Sequence, residues 1–342
     1  MKRLILLILA VCLLLPGCST QPKSTKYTAT YLTLFDTVTT VAGFAESEEA
    51  FTAQAQWVHD ELLVYHQLFD IYNDYEGINN LKTINDNAGI APVKVDEKII
   101  LLLKGCKSYY EFTGGKVNVA MGSVLQLWHE ARSDGINDPV NAYLPDAGAL
   151  AEAAKHTDIN NIIIDEAAST VYLADPQMRL DVGAIAKGWA AEEVAEAAPE
   201  GLLISVGGNV CATGPKDDQG TPWVVGIQNP DGGDYLHTIY VSSGSVVTSG
   251  DYQRAYAVDG QIYHHIIDPD TLFPSAYWRS VTIVTEHSTL ADALSTALFL
   301  LPLEEGQALL EKAAAMAGAE AMWVDADGKI YYSENFQAMI RR

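Results

Sequence analysis

The chain has 342 residues, of which 49% are hydrophobic and 19% are charged, a composition that excludes a disordered or collagen-like chain. Its 44 acidic and 21 basic residues give a formal net charge of −23, which argues against a nucleic-acid partner because such binding needs a basic surface. The same charge repels anionic lipids, so any attachment to a membrane must be covalent or inserted.

The first segment, residues 1–17, has the features of a signal peptide. Two basic residues precede an apolar run over residues 4–15, and these 12 residues are too few for a spanning helix, which needs about 20. The sequence Leu-Pro-Gly-Cys at residues 15–18 resembles the processing site of bacterial lipoproteins. That resemblance implies that Cys18 becomes the acylated first residue of the mature chain. The alternative is an ordinary secretory signal with a chance cysteine.

A lipoprotein of this kind is anchored to the cell membrane by its lipid and lies on the extracytoplasmic face. The polar residues after the anchor predict a flexible tether over residues 18–30, followed by one domain over residues 31–342. Cys106 and Cys211 stand far apart in apolar contexts. We interpret them as two buried thiols rather than as a disulfide.

Residue patterns predict the elements of the domain in chain order. Residues 31–42 are rich in β-branched side chains and predict a strand. Apolar residues recur every three or four positions over residues 46–69 and 95–112, which predicts two amphipathic helices. The later predicted elements are strands at residues 161–165, 170–174, 202–206, 223–227, 237–242, 245–250, 253–258 and 262–267, helices at 184–198, 290–301 and 303–316, and a hairpin at 321–332 that turns at Asp327 and Gly328.

Helices and strands are mixed here without the strict alternation of βαβ units. This mixture predicts an α+β fold. Residues 133–146 contain Asp, Gly, Asn and Pro and predict a loop, which is the candidate boundary between two lobes of the domain.

Two glycine-containing segments follow predicted strands. Residues 181–188, Asp-Val-Gly-Ala-Ile-Ala-Lys-Gly, lead into the start of a helix, where free backbone N–H groups favour a phosphate. Residues 205–209, Ser-Val-Gly-Gly-Asn, let a ligand approach the backbone closely. Taken alone, each segment fits an ordinary tight turn at least as well.

Two further motifs carry groups suited to chemistry. His264 and His265 are adjacent in a predicted strand, so only one of them should enter a given site, where an imidazole can move a proton or contact an anion. Asp292 and Thr296 stand four residues apart on a predicted helix and form a partial shell for a hard cation such as Mg²⁺. The alternatives are a surface histidine beside a structural one, and an acid that interacts with the positive end of its own helix.

Taken together and in this order, five blocks resemble the FAD:protein FMN transferases, the ApbE family. The blocks are Asp-Val-Gly-Ala-Ile-Ala-Lys-Gly at residues 181–188, Gly-Gly-Asn at 207–209, Thr-Ser-Gly-x-Tyr at 248–252, His-Ile-Ile-Asp-Pro at 265–269 and Ala-Asp-Ala-x-x-Thr at 291–296. The similarity covers residues 31–336, nearly all of the mature chain.

The resemblance implies a Mg²⁺-dependent transferase that splits its substrate FAD, attaches FMN through a phosphoester to a Thr or Ser of an exported or membrane flavoprotein, and releases AMP. The acceptor would belong to an electron-transport complex or be an exported reductase. The implied fold is α+β, with antiparallel sheets flanked by helices and FAD between two lobes. Two other functions stay open: an FAD pyrophosphatase that uses water as the acceptor, and a lipoprotein that only binds a flavin or another solute.

The resemblance also assigns residues. Asp292, Thr296 and the carbonyl of Ala184 would hold the metal, and His265 would act with Asp292 in catalysis, as a base or a phosphate contact. The residues implied for FAD binding are Phe35, Tyr72, Asn118, Lys187, Gly207, Gly208, Ser249 and His265. Leu272 stands where the family usually has a glycine. Because Leu disfavours a positive φ, we expect a different turn there.

The predicted anchor can be tested with Cys18→Ala. The variant should leave the membrane fraction, because two acyl chains give stable anchoring and their attachment needs the Cys18 thiol. Fractionation followed by an activity assay should show a soluble protein with unchanged catalysis. A variant that stays in the membrane fraction would contradict the lipoprotein interpretation.

Overall fold

The computed structural model describes residues 24–342, so the predicted signal peptide, Cys18 and residues 19–23 lie outside the described residues. In this described part, no helix is both long and apolar enough to cross a bilayer. Residues 25–30, which the sequence assigned to the tether, form the start of the first strand.

The elements are numbered along the chain. In order they are β1 (Thr25–Leu34), β2 (Thr37–Ala45), α1 (Glu48–Phe69), α2 (Leu81–Asp86), β3 (Val93–Lys94), α3 (Glu97–Phe112), α4 (Gly122–Asn137), α5 (Ala147–Ala153), β4 (Ile162–Asp165), β5 (Thr170–Leu173), α6 (Ala186–Ala197), β6 (Leu202–Val206), β7 (Asn209–Ala212), β8 (Trp223–Ile227), β9 (His237–Val241), β10 (Gly244–Gly250), β11 (Ala255–Val258), β12 (Gln261–His264), β13 (Trp278–Thr285), α7 (Ser288–Phe299), α8 (Leu303–Ala317), β14 (Glu320–Asp325), β15 (Ile330–Tyr332) and α9 (Phe336–Met339).

The main sheet has eight strands in the order β1-β2-β6-β7-β10-β13-β14-β15. All neighbouring strands in it are antiparallel. Three smaller antiparallel sheets consist of β3-β5-β4, β8-β9 and β11-β12. The predicted α+β class with antiparallel sheets and flanking helices is therefore confirmed.

Side chains of the main sheet alternate between two hydrophobic cores, as the two-residue period of a strand requires. Val247 and Trp323 join the larger core, to which α1, α3, α6, α7 and α8 contribute. Their chain neighbours Val246 and Met322 face the opposite core, which β8, β9 and α9 cover. A third cluster joins α4 and α5 to the β11–β12 hairpin.

Helix α1 forms as the sequence predicts. Ser47 is its N-cap, and the Ser47 hydroxyl accepts a hydrogen bond from the backbone N–H of Ala50. The predicted stripe is buried from Phe51 to Phe69 and packs into the larger core. The end of this helix therefore lies at a fixed position beside β2 and α6, where the functional residues gather.

The predicted strand over residues 31–42 is in fact parts of two strands. The chain reverses at Phe35 and Asp36, whose φ angles are 53° and 50°, and Leu34 then pairs with Thr37. A two-residue turn with both φ angles positive matches the twist of a hairpin, but its usual sequence signal is Asn-Gly or Asp-Gly. Phe-Asp carries no such signal, so the turn was not predicted.

The loop predicted at residues 133–146 is shorter than expected. Helix α4 continues to Asn137, and only the rest of that segment is irregular, with a short 3-10 turn at Pro139–Asn141. No side chain caps the N-terminus of α4, where Met121 is the N-cap. The sequence therefore lacked the signal that marks a helix start.

The turn at Leu272 keeps the left-handed backbone that a glycine would adopt, with a φ of 62°. Its N–H donates to the Asp268 carbonyl at 2.8 Å, and its carbonyl accepts from Trp128 Nε1 at 2.9 Å. These bonds hold the leucine in a conformation that costs about 1–2 kcal/mol. The expectation of a different turn is wrong.

The two cysteines in the described residues are free and buried, which confirms that they are thiols. Burial raises the pKa of Cys106 and raises that of Cys211 to about 11. Both thiols therefore stay protonated at neutral pH.

Gly188→Ala tests the close crossing of α6 and α7. A Cβ at this position would lie 2.5 Å from the Cβ of Asp292 and 2.6 Å from the carbonyl oxygen of Ser288, so the two helices would have to separate. We expect the free energy of unfolding to fall by about 1–3 kcal/mol in urea denaturation.

Gly306→Ala is the matched control. Its Cβ would meet no atom closer than 3.7 Å in α8, so the change should raise stability by about 0.5–1 kcal/mol. Equal effects of the two substitutions would show that the crossing does not depend on Gly188.

Candidate active site

A cavity of about 1050 Å³ opens where the β1–β2 turn, α4, the start of α6 and the middle of α7 meet. Cofactor and substrate sites in proteins have volumes of about 300–1,000 Å³, so this cavity can hold a large organic ligand. The structure brings together in it every residue predicted for FAD or metal binding. These residues are Phe35, Tyr72, Asn118, Ala184, Lys187, Gly207, Gly208, Ser249, His265, Asp292 and Thr296.

Asp292 lies on α7 with only 3% of its surface exposed. Its Oδ2 accepts a hydrogen bond of 2.8 Å from the N–H of Gly188, the third residue of α6. The carboxylate therefore satisfies the N-terminus of a neighbouring helix and not that of its own helix.

Burial raises the pKa of the Asp292 carboxyl, while the nearby Lys187 and the Gly188 N–H oppose that effect. Lys187 Nζ lies 3.7 Å from Oδ1, the oxygen that does not take part in the bond to Gly188. Oδ1 is thus the carboxylate atom that can serve a ligand in the cavity.

Two further residues with hard oxygen donors line the same cavity as this carboxylate. Thr296 stands one turn further along α7 and is the only residue of that helix that is not buried, and Ala184 precedes α6 on the same wall. A carboxylate, a hydroxyl and a backbone carbonyl are ligands that suit Mg²⁺. The residues present therefore fit the implied cation.

A chain of hydroxyl groups fixes this turn of α7 to the main sheet. Ser295 donates to the carbonyl of Asp292 at 2.9 Å, and the hydroxyls of Ser295 and Ser249 are 2.8 Å apart. Because the Ser295 hydroxyl proton is already bonded to the Asp292 carbonyl, the Ser249 hydroxyl must donate to Ser295. Only the lone pairs of the Ser249 oxygen then remain for a ligand in the cavity. Ser249 thus suits a ligand that donates hydrogen bonds.

The two adjacent histidines have different environments. His264 ends β12 and is 8% exposed. Its Nε2–H donates to the carbonyl of Ser275 at 2.7 Å, while its Nδ1 accepts from the N–H of Ile266 at 3.2 Å. Both nitrogens of His264 serve the backbone, so this imidazole is neutral and structural.

His265 follows the strand and lines the cavity. Its Nδ1 is buried and has no hydrogen-bond partner among residues 24–342. Burial lowers the pKa of His265 to about 3, and the positive charges of Arg254 and Arg132 act in the same direction. The ring is therefore neutral, and its Nδ1 is a buried polar atom without a partner in this part of the chain.

The aromatic part of the wall is held by the loops around it. The N–H of Phe35 donates to His66 Nδ1 at 3.2 Å, which fixes the left-handed hairpin turn. The ring of Tyr72 is 51% exposed and lies 5.2 Å from that of His129, with the two planes tilted by 30°. The rings of Phe35 and Tyr72 provide surfaces on which a flat ligand can stack.

Other predicted FAD contacts have structural partners of their own. The Asn118 carbonyl oxygen accepts from the N–H of Ala120 at 2.9 Å, and its amide donates to the Thr157 carbonyl at 2.9 Å. Gly207 has a φ of 58°, and a Cβ there would lie 2.6 Å from the Thr37 hydroxyl. Gly208, with a φ of 93°, has open space around it. Asn118 and Gly207 thus shape the wall, whereas Gly208 leaves backbone accessible.

Sequence reasoning missed several polar groups of the cavity. Arg132 lies on α4, a helix that was not predicted, and Arg254 lies within a segment interpreted only as a strand. Asn209 Nδ2 and the Tyr252 hydroxyl are buried and lack hydrogen-bond partners in the part of the chain that the structure describes. Asn209 and Tyr252 did belong to recognised motifs, and these motifs were the only signal for them.

Comparison with known proteins gives consistent results. The sequence pattern of the ApbE family matches residues 26–323. A FAD:protein FMN transferase of Treponema pallidum (strain Nichols) is 36% identical over 280 residues, which cover 76% of this chain and 75% of that protein. Another, from Klebsiella pneumoniae (strain 342), is 32% identical over 267 residues, covering 74% and 80%. The crystal structure of the ApbE protein of Thermotoga maritima has a TM-score of 0.80 at 32% identity and covers 93% of this chain and 100% of that one.

The depressed pKa of His265 has a consequence for stability. In the unfolded chain a histidine titrates near 6.5, so between about pH 3 and pH 6.5 the unfolded state binds a proton that the folded state does not. Folding stability is therefore lost as the pH falls below about 6.5, by up to about 1.4 kcal/mol per pH unit from this residue.

His265→Gln should reduce this loss, because glutamine does not titrate. Urea denaturation at pH 7 and pH 5 should show a smaller decrease for the variant, by about 2 kcal/mol at pH 5. NMR of the wild-type ring should show a neutral imidazole at pH 5. A His265 resonance that titrates near pH 6.5 would contradict the burial argument.

Proposed function

The chain belongs to the ApbE family, and from that premise we propose that it is a Mg²⁺-dependent FAD:protein FMN transferase. It splits the diphosphate of FAD, attaches FMN through a phosphoester to a Thr or Ser of another protein, and releases AMP. The names of the relatives support the activity, and the cavity contains the groups that this activity needs.

The observation that carries the proposal is the presence, in one cavity, of an oxygen-donor pair and an imidazole with a free nitrogen. Asp292 and Thr296 supply the oxygens, and His265 supplies an unpartnered Nδ1. Phosphoryl transfer depends on positioning and charge neutralisation, and a hydroxyl acceptor also needs a base. A site that only stores a flavin needs neither of these.

The proposed metal ligands are Asp292 Oδ1, the Thr296 hydroxyl and the Ala184 carbonyl. When bound, Mg²⁺ neutralises charge on the diphosphate oxygens. The Gly188 N–H orients the carboxylate through Oδ2, and Lys187 opposes the effect of burial on the carboxyl pKa. The chain thus presents an oriented carboxylate to the cation.

In the transfer, the acceptor hydroxyl oxygen forms a bond to the phosphorus on the FMN side. The anhydride P–O bond breaks, and its electron pair leaves with AMP. We propose that the neutral imidazole of His265 takes the hydroxyl proton. Its pKa of about 3 belongs to the protein alone, and an anionic diphosphate beside the ring would raise it towards the range of a useful base.

FAD binding is proposed to use Phe35, Tyr72 and Lys187, together with Asn118, Gly207, Gly208 and Ser249. The exposed Tyr72 ring provides an aromatic face, and Gly208 an accessible backbone. That FAD lies between two lobes stays a prediction.

The proposed place of action follows from the sequence of residues 1–18. An acylated Cys18 holds the protein on the extracytoplasmic face of the membrane. The acceptor is then an exported or membrane flavoprotein, such as a subunit of an electron-transport complex or an exported reductase.

Incubation of the mature protein with FAD and Mg²⁺ tests the proposed reaction. We expect AMP only when an acceptor flavoprotein is present, with flavin covalently bound to that acceptor. AMP without acceptor would instead indicate an FAD pyrophosphatase. Retention of intact FAD under both conditions would indicate a binding protein.

The same assay applied to Asp292→Ala tests the metal site. AMP release should be abolished, because a charged ligand is lost, whereas Thr296→Ala should reduce it less. A chelator should reproduce the loss in the wild type, and excess Mg²⁺ should restore it. Asp327→Ala, in the exposed β14–β15 turn, is the control that should stay active. Full activity of Asp292→Ala in EDTA would reject the metal role.

A further inference from the structure

Two arginines in the cavity have no acidic partner within residues 24–342. Arg132, half-buried on α4, has Nη2 3.0 Å from His129 Nδ1, which accepts its hydrogen bond. Arg254, in the connection between β10 and β11, makes neither a hydrogen bond nor an ion pair with any residue in 24–342. No carboxylate of these residues lies within ion-pair distance of Arg132 either.

The lysines that line the same cavity are compensated. Lys116 Nζ lies 2.9 Å from Asp268 Oδ1 and 2.7 Å from Asp270 Oδ2. Lys187 faces Asp292 at 3.7 Å. The lack of partners is therefore specific to the two arginines and is not a general property of the wall.

Arg254 acts on Arg132, and both act on His265. Burial lowers the pKa of Arg132, and the charge of Arg254 acts in the same direction. Burial is also the main cause of the lowered pKa of His265, to which both arginines contribute. Asp181 is the carboxylate whose charge reaches Arg132, but its Oδ1 accepts from the Gly183 N–H at 2.8 Å and it forms no ion pair with either arginine.

Leaving two like charges together in a concave site costs free energy that an anionic ligand can offset. The chain has 44 acidic residues, so acidic partners are plentiful in its composition. Guanidinium groups bind phosphate oxygens through two parallel N–H donors, which makes arginine the usual residue for phosphate recognition.

We infer that Arg132 and Arg254 form a phosphate-binding subsite for a nucleotide, built on elements other than those that carry Asp292 and Thr296. The ligand class is a phosphate ester: the diphosphate of FAD before the reaction, and AMP or FMN after it. In this respect the inference rests on the proposed function. The arginine pair would hold one of the two phosphates of FAD, while Asp292 and Thr296 on α7 would hold the cation that neutralises diphosphate charge.

Binding of AMP, FMN, riboflavin and adenosine to the mature protein, measured by calorimetry without Mg²⁺, tests this subsite. Arg254→Gln and Arg132→Gln should each weaken binding of the phosphate-bearing ligand by about 10- to 100-fold, the effect of losing a hydrogen bond between charged groups. Riboflavin and adenosine, which carry no phosphate, should bind the variants as they bind the wild type.

The two product nucleotides distinguish the source of the phosphate. A loss confined to AMP assigns the pair to the adenylate phosphate, and a loss confined to FMN assigns it to the flavin phosphate; either result supports the subsite. Arg254→Lys, which keeps the charge, should retain more affinity than Arg254→Gln. The inference would be overturned if the glutamine variants bound AMP as tightly as the control Arg341→Gln does, and also bound FMN as tightly as that control.

Thermal unfolding of the ligand-free proteins gives a second measurement. Removing one of two repelling charges should leave the melting temperature of Arg254→Gln equal to or above that of the control, and the shift on adding AMP or FMN should shrink. A melting temperature well below that of the control would mean that Arg254 supports the fold and would overturn the inference.

Failure of the subsite and failure of the proposed function give different results. A wild type that binds AMP or FMN through these arginines but releases no AMP from FAD keeps the subsite and rejects the transferase. A wild type that modifies its acceptor, with arginine variants that bind like the control, keeps the transferase and rejects the subsite.

Discussion

The hydrogen bond from the Gly188 N–H to Asp292 is the interaction on which the rest of the site depends. It forms only because Gly188 has no side chain, so that α6 and α7 cross closely enough for the carboxylate to reach the first turn of α6. One oxygen satisfies that helix end, and the other takes no part in that bond. A buried acid without such donors would be protonated and useless for a cation. The close packing of α6 and α7 therefore also orients Asp292, the proposed metal ligand.

Charge is distributed unevenly between the surface and the cavity. The whole chain carries −23, whereas the cavity wall has as many basic as acidic residues. These are Lys116, Arg132, Lys187 and Arg254, and Asp36, Asp70, Asp181 and Asp292. Concave sites concentrate the field of the charges that line them, so Arg132 and Arg254, which form no ion pair within residues 24–342, can attract an anion to their part of the wall. Burial is the main cause of the lowered pKa of His265, and the nearby positive charges of Arg254 and Arg132 add to it.

Local signals predicted a large part of the fold. The stripe over residues 46–69 became α1 at Glu48–Phe69, and Asp327-Gly328 marked a real hairpin because that dipeptide favours its turn. The turn at Phe35 and the uncapped helix α4 gave no local signal, and the strand order of the main sheet depends on contacts distant in sequence. For the site, motifs predicted which residues lie in one cavity but not the partners of each side chain. The hydrogen bonds of His264 to the backbone, and the lack of an ion pair for Arg132 within residues 24–342, depend on the folded chain.

The early start of β1 limits the reach that the proposed anchor at Cys18 allows the enzyme. Thr25 follows Cys18 by seven residues, and a fully extended chain spans at most about 3.6 Å per residue, or about 25 Å. The ten residues of β1 add about 33 Å before the chain turns at Phe35 in the cavity wall. With the proposed anchor at Cys18, the cavity is confined to a layer within about 60 Å of the bilayer surface. A short tether of this kind raises the effective concentration of the enzyme for membrane-bound acceptors. A freely diffusing acceptor has to enter the same layer to be modified.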